Sequence, residues 1–284
     1  MAFNKNIYTG SIALPAEVSS QILSKVQEDS AIMRLATKID LPGRGVTIPV
    51  ITGDPEASWV GETDEKPVSR PTMDTKLMTP YTLAVIVPFS NQFRNSSDAL
   101  YRALVERLPK ALAKKFDQTV FGGVAPGSNF DVMTAVTAQD LGTDAYGALV
   151  AAYADIAAHD GHMNGVALSP AGEGVLLSST DTTGHPLFNG VEVAGIPRIL
   201  GAEIVPTKAA YIAGSPNLVG VAGDWTQAMY GTVEGVQITI SEDATLTDGE
   251  NTINLFQRNM FAVRAEIEIG FRADLSVFNR LTKA

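Results

Sequence analysis

The stretch FAVRAEIEIGFRADLSV, residues 261–277, dictates how the rest of the chain must be arranged. Its odd positions are all apolar: Phe261, Val263, Ala265, Ile267, Ile269, Phe271, Ala273, Leu275 and Val277. Between them stand Arg264, Glu266, Glu268, Arg272, Asp274 and Ser276. Strict alternation marks a strand with one buried and one wet face. Unbroken, these 17 residues reach about 55 Å at 3.3 Å each. Ordinary strands run to about five or six residues. Gly270 offers a place for a bend or bulge. A strand this long needs an equally long partner over its apolar face. A helix far upstream is the one candidate.

That helix lies in SSDALYRALVERLPKALAKKFDQTVFGG, residues 96–123. Ser97 and Asp98 are good N-caps, and Gly122 and Gly123 close the far end. Leu100, Leu104, Leu108, Ala111 and Leu112 form the expected buried stripe, extended by Phe116 and Val120. Such a helix spans roughly 35 Å at 1.5 Å per residue. Pro109 cannot donate to the carbonyl of Val105, so a kink is expected there, or a break into two helices.

Ahead of the helix, residues 1–30 read as an extended arm and a short amphipathic helix from Pro15, with Val18, Ile22 and Val26 on one face. Residues 31–55 hold a strand segment. Residues 56–90 read as a long hairpin whose arms are 57–62 and 76–89. Tyr81, Leu83, Val85, Val87 and Phe89 alternate along its second arm. The tip carries Glu62, Asp64, Glu65 and Asp74 against Lys66, Arg70 and Lys76. It is either a solvated loop or an arm laid on a neighbouring molecule, since a long projecting hairpin has little to pack on at home. The long helix fills residues 91–123, and residues 124–254 read as an inserted α/β unit. Its alanine-rich helix, AYGALVAAYADIAAH, is capped by Thr143 or Asp144 and faces inward with Leu149, Ala152, Tyr153 and Ile156. Residues 255–284 carry the terminal strand.

Composition removes several classes of function. The chain has 284 residues, 45% hydrophobic and 18% charged, ample for a large core. Its net charge is −10, from 31 acidic and 21 basic residues. That balance argues against a tight nucleic-acid binder and against attraction to an anionic membrane. It contains no cysteine, which excludes disulfides, thiolate zinc sites and cysteine nucleophiles. MAFNKNIYTGSIALP lacks the apolar core of a signal peptide, and no run approaches the roughly 18 apolar residues of a membrane span. Folding in the cytoplasm is expected.

Reactive groups are sparse. His159, Asp160 and His162 cluster in HDGHMN, but one such spacing without further ligands is a weak metal signal beside a plain helix end. His185 stands alone in a loop. No phosphate-binding glycine loop, nucleophile elbow or zinc-protease motif is present. Glu266 and Glu268 share the wet face of a strand, as ordinary solvated acids do. Trp59 and Trp225 are either interface anchors or core.

The order of parts carries more information than any motif. Arm, polar-tipped hairpin, long helix, inserted α/β unit and long terminal strand together resemble the major capsid protein of tailed bacteriophages, with its Hong Kong 97-type α+β fold. WVGETDEKP is similar to that family's extended loop (E-loop). VALSPAGEGVLLSSTDTTGHPLF followed by VAGIPRILGAEIVP is similar to its axial (A) domain. GDWTQAMYGTVEGVQITIS and LFQRNMFAVRAEIEIGFRADLSVFNRL are similar to the return into its peripheral (P) domain. The resemblance runs from about residue 12 to the end. It implies a non-enzymatic, cofactor-free shell protein that assembles with itself as hexamers and pentamers around phage double-stranded DNA. It belongs in the virion, and in the host cytoplasm during assembly. A portal protein, a separate or absent scaffolding protein, and a decoration protein are the further partners implied. The hairpin residues Trp59, Glu62, Asp64, Glu65, Lys66, Arg70 and Lys76 become assembly contacts. Asn259 and Glu266 fall at the positions of the isopeptide cross-link that some members form, although seven residues of regular strand between them imply opposite faces. An encapsulin shell is the alternative in the same fold, and a metal-dependent hydrolase using His159 and His162 the alternative outside it.

Overall fold

The computed structural model of the chain describes residues 16–53, 57–62, 65, 66, 68, 72–91, 97–180, 183, 185, 187, 188, 198–249 and 251–283. The expected arm at residues 1–14 lies outside them, as do Asp64, Pro67, Arg70 and Pro71 and the side chains of Val18, Ile22, Leu100 and Leu104. In chain order come α1 (Ala16–Asp29), α2 (Ala31–Leu35), β1 (Thr37–Asp40), β2 (Val46–Gly53), β3 (Thr72–Met78) and β4 (Tyr81–Ser90). The long helix α3 (Ser97–Gly122) leads to β5 (Thr137–Asp140), α4 (Ala145–Ala158), β6 (Gly165–Leu168) and α5 (Pro170–Leu177). Short strands follow: β7 (Arg198–Ile199), β8 (Ala202–Pro206), β9 (Asn217–Gly223), β10 (Ala228–Thr232), β11 (Gln237–Ser241), β12 (Thr245–Asp248) and β13 (Asn251–Asn254). The chain ends with β14 (Met260–Ala273) and β15 (Phe278–Lys283).

β14 is the axis of the first sheet. β4 pairs antiparallel with it from Met260 to Ile269 on one side. On the other side β11 takes its first half and β10 its second, and β1 runs parallel to β10. The alternation holds: Phe261, Val263, Ala265, Ile267, Ile269, Phe271 and Ala273 are all buried, while Arg264 and Glu268 are exposed. The strand is 14 residues long, not 17. Asp274 ends it by accepting from the backbone N–H of Ser276 at 3.1 Å, which coils residues 275–277 into a 3₁₀ turn. Leu275 and Val277 keep the apolar alternation without the strand. Gly270 makes no bulge, for its pairing with Gly231 is in register. A Cβ there would lie 2.7 Å from the Met78 side chain and 2.9 Å from the Thr79 carbonyl, so glycine is needed for close approach.

After the turn, β15 enters a second sheet of order β5-β15-β9-β6-β8-β7, parallel to β5 and antiparallel to β9. α4 packs on β5, β9 and β15. The sheets therefore do not follow a linear division of the chain. β10 and β11, within residues 124–254, belong to the first sheet, and β15, within 255–284, belongs to the second. Sequence shows which runs are strands but not which neighbours pair with them.

The hairpin also differs from expectation. Its arms are β2 and β3, paired from Val46↔Met78 at the base to Gly53↔Thr72 at the far end, with a shift of register between Ile51 and Gly53. Residues 57–61 form no strand and belong to the tip. The run 76–89 is two strands, divided at Thr79 and Pro80, and its second part turns away to pair with β14. Pro80 has no N–H to give a ladder, which separates the two partners.

α3 is continuous through Pro109, so the two-helix alternative does not hold. Leu108, Leu112, Phe116 and Val120 form one buried row, and Pro109, Ala113, Asp117 and Phe121 a second beside it. Ala111 faces solvent instead. The first row reaches the sheet through Phe116, whose ring meets Phe271 edge-on at 6.3 Å. The second row lies under α1 and α2, which bury Val26 and Ile32. Trp225 is core: its indole N–H donates to the Gly165 carbonyl at 3.0 Å and its ring meets Phe278 at 5.1 Å.

Candidate assembly surfaces

The β2–β3 hairpin is held rigidly at its base. Arg272, on β14, donates from Nε to the Leu77 carbonyl at 2.9 Å and from Nη1 to Asp131 at 2.7 Å. Asp131 also accepts from the Ala273 N–H at 3.1 Å. Lys76, on β3, donates to the Ala273 carbonyl at 3.0 Å. Arg272 and Asp131 are both mostly buried, where a charge needs a partner and has one. Lys76 is thus a base residue, bound to its own chain, rather than a tip residue. Arg272 and Asp131 went unmarked in the sequence because an even strand position looks merely wet.

The tip behaves oppositely. Trp59 is fully exposed, Val68 is 83% exposed, and Glu62, Glu65 and Lys66 are exposed. An exposed tryptophan leaves a large apolar surface in water. A second outward patch lies on α4. Asp144 caps this helix by accepting from the Gly147 N–H at 2.9 Å. Leu149, Ala152 and Ile156 face the core. Tyr146, Val150 and Tyr153 stand outward at i, i+4 and i+7, Tyr153 contrary to expectation. That spacing was legible in the sequence.

The groups that suggested chemistry are otherwise engaged. The His159 ring nitrogen meets the Asp155 carbonyl at 2.8 Å at the end of α4. The His162 backbone N–H donates to Asp224 at 3.0 Å, and Asn164 donates to the same carboxylate at 3.0 Å. HDGHMN is therefore a splice between α4 and the 3₁₀ turn after Asp224. Among the described residues no group of three histidines, aspartates or glutamates could hold a metal ion. His185 lies 2.9 Å from the Thr183 hydroxyl. Asn259, with φ of 51°, turns the chain into β14 and accepts from Asn91 at 2.8 Å. Glu266 sits midway along the strand, 2.8 Å from Arg264. Asn259 and Glu266 are seven positions apart, which along a strand separates them by about 23 Å. One chain does not bring them together.

One buried acid was missed. Asp117 is 1% exposed in the second row of α3. It accepts from the Ser30 hydroxyl at 2.5 Å and from the Ala31 N–H at 2.9 Å, which pins the start of α2 to α3. Burial pushes its pKa up to about 7, against the hydrogen bonds that favour the carboxylate. Its place four residues after Ala113 in an apolar row was the available signal.

The described residues thus present two ordered sheets, an exposed hairpin tip and an outward apolar stripe on α4. The chain belongs to the phage capsid family, whose model matches residues 10–277. It is 28% identical to the probable major capsid protein gp17 of Mycobacterium phage L5, covering 95% of this chain and 89% of that protein. It is 24% identical to the major capsid protein of Staphylococcus phage 80alpha, covering 94% and 84% respectively. Among solved structures, a chain of Mycobacterium phage Adephagia superposes with a TM-score of 0.73 at 20% identity, covering 90% of each chain. The capsid of an empty GTA particle gives 0.67 at 14% identity, again over 90% of each.

Proposed function

We propose that the chain is the structural major capsid protein of a tailed phage, assembling with itself as hexamers and pentamers into the icosahedral shell around double-stranded DNA. The family match across residues 10–277 carries this reading, because it covers the hairpin, the long helix and every strand except β15. In that reading β2–β3 and its tip are the E-loop, α3 is the spine helix, and the sheet around β9 with α4 and α5 is the A domain. Trp59, Glu62, Glu65 and Lys66, with Asp64 and Arg70 beside them in the sequence, then meet a neighbouring subunit. The net charge of −10 suits a shell inside which DNA must move without being gripped. Portal, scaffolding and decoration proteins are further partners in this scheme.

Purified from expressing cells, the chain should give megadalton particles or capsomers by mass photometry. A small soluble oligomer would overturn the reading. Nuclease-protected DNA inside the particles favours a phage capsid, and a packaged enzyme the encapsulin alternative. Removing residues 63–71, which stops short of β3, should leave a folded chain that no longer closes shells. Boiled particles should run as a single band near 30.1 kDa, because Asn259 serves as the turn into β14 and no hairpin lysine stands in a context that marks it as reactive; a ladder would mean that a neighbouring subunit completes the site.

A further inference from the structure

A cavity of about 350 Å³ opens between α3 and the first sheet. Tyr81, Leu83, Phe116, Phe130 and Ile269 wall it, and Val124, 92% exposed, stands at its mouth with Lys115. The Tyr81 and Phe116 rings meet Phe130 edge-on at 6.1 and 6.4 Å, so the wall is a set of aromatic edges and faces. Gln118 lies at the rim and offers an amide carbonyl. Such a site suits one large aromatic side chain bearing a single N–H.

The hairpin tip carries that side chain. Resting on the E-loop reading above, we propose that Trp59 of one subunit inserts into this cavity of a neighbouring subunit. Charge favours it: the tip from Trp59 to Lys66 carries three acids, Glu62, Asp64 and Glu65, against one base, and Lys115 lies exposed at the cavity. The chain's own tip does not fill the cavity, because Trp59 is fully exposed in its own subunit. Tyr81 stands three residues past Met78 at the hairpin base, whereas Trp59 lies six residues beyond Gly53 at the far end of β2. A second copy supplies the tip without bending the hairpin, and the indole N–H then finds the Gln118 carbonyl.

Because the chain has no cysteine, proximity can be read directly. Ser58→Cys leaves Trp59 in place, and Val124→Cys marks the cavity mouth. Shells carrying both substitutions, treated with a short bismaleimide, should give a ladder of covalent multimers on denaturing gels. Shells mixed from the two single variants should also give linked dimers, and each single variant alone should not. In parallel, Trp59→Ala should raise the concentration needed for assembly about tenfold or more, and Trp59→Phe should restore most of it. Glu65→Lys and Lys115→Glu should each weaken assembly, and their combination should recover it. Normal shells without a ladder overturn the docking and leave the shell reading standing. Failure of the unsubstituted chain to assemble overturns both.

Discussion

β14 and the hairpin tip are both amphipathic, yet one is closed and the other open. Every apolar residue of β14 from Phe261 to Ala273 is buried by the chain's own α3, β4, β10 and β11. Trp59 and Val68 stand exposed among the described residues. The difference separates two kinds of hydrophobic residue. One kind drives folding of the single chain, and the other, in the proposed shell, would serve association. Substitutions should therefore divide into those that unfold the subunit and those that spare the subunit and block the shell.

The largest effect should come from Phe271→Ala. Phe271 is fully buried and its ring meets both Phe116 and Phe130. Urea unfolding of the unassembled chain should register a loss of about 3–5 kcal/mol. A loss below 1 kcal/mol would mean that the helix and sheet are not joined there. Arg272→Ala comes next, since it leaves Asp131 mostly buried without its cation. The expected loss is about 3 kcal/mol, with faster proteolysis of the hairpin than of the rest.

Asp117→Asn should act through pH. Its carboxyl titrates near 7 in the folded chain, against 3.8 as its ordinary value. The folded state therefore holds a proton that the unfolded state has released. This group's contribution is greatest below about pH 4, declines as pH rises towards 7, and levels off above. Asparagine removes that decline. The stability difference between wild type and variant should change by about 2 kcal/mol between pH 5 and 7. Parallel curves would show that the carboxyl does not titrate in that range. The smallest effect on the subunit is expected at the tip. Trp59→Ala should alter unfolding by less than about 0.5 kcal/mol, while assembly suffers. A comparable loss in both assays would place Trp59 with the closed group.

Much of this was readable in advance because period-two alternation is a local property. The odd positions from Phe261 to Ala273 specify their buried face whatever packs on it. Partner choice is not local. Nothing in YTLAVIVPFS indicates that β4 leaves the hairpin for β14, and the same alternation suits either partner. Leu275 and Val277 continued the pattern, and only the Asp274 side chain turned the backbone aside. Arg272 and Asp117 matter through contacts 141 and 87 residues away in sequence, beyond any local window. Trp59 was ambiguous for another reason: an aromatic in a polar tip reads alike whether it is covered at home or abroad.

Between β14 and β15 the chain passes from the first sheet to the second in four residues, 274–277. The hairpin is fastened immediately upstream of that crossing, by Lys76 to Ala273 and by Arg272 to Leu77. In the proposed shell, a neighbour pulling on the hairpin would load the end of β14 through these two hydrogen bonds. The same pull would reach β4 along the backbone, since only Thr79 and Pro80 separate it from β3. Lateral strain would then enter the first sheet through two paired strands, with β15 beginning five residues beyond Ala273.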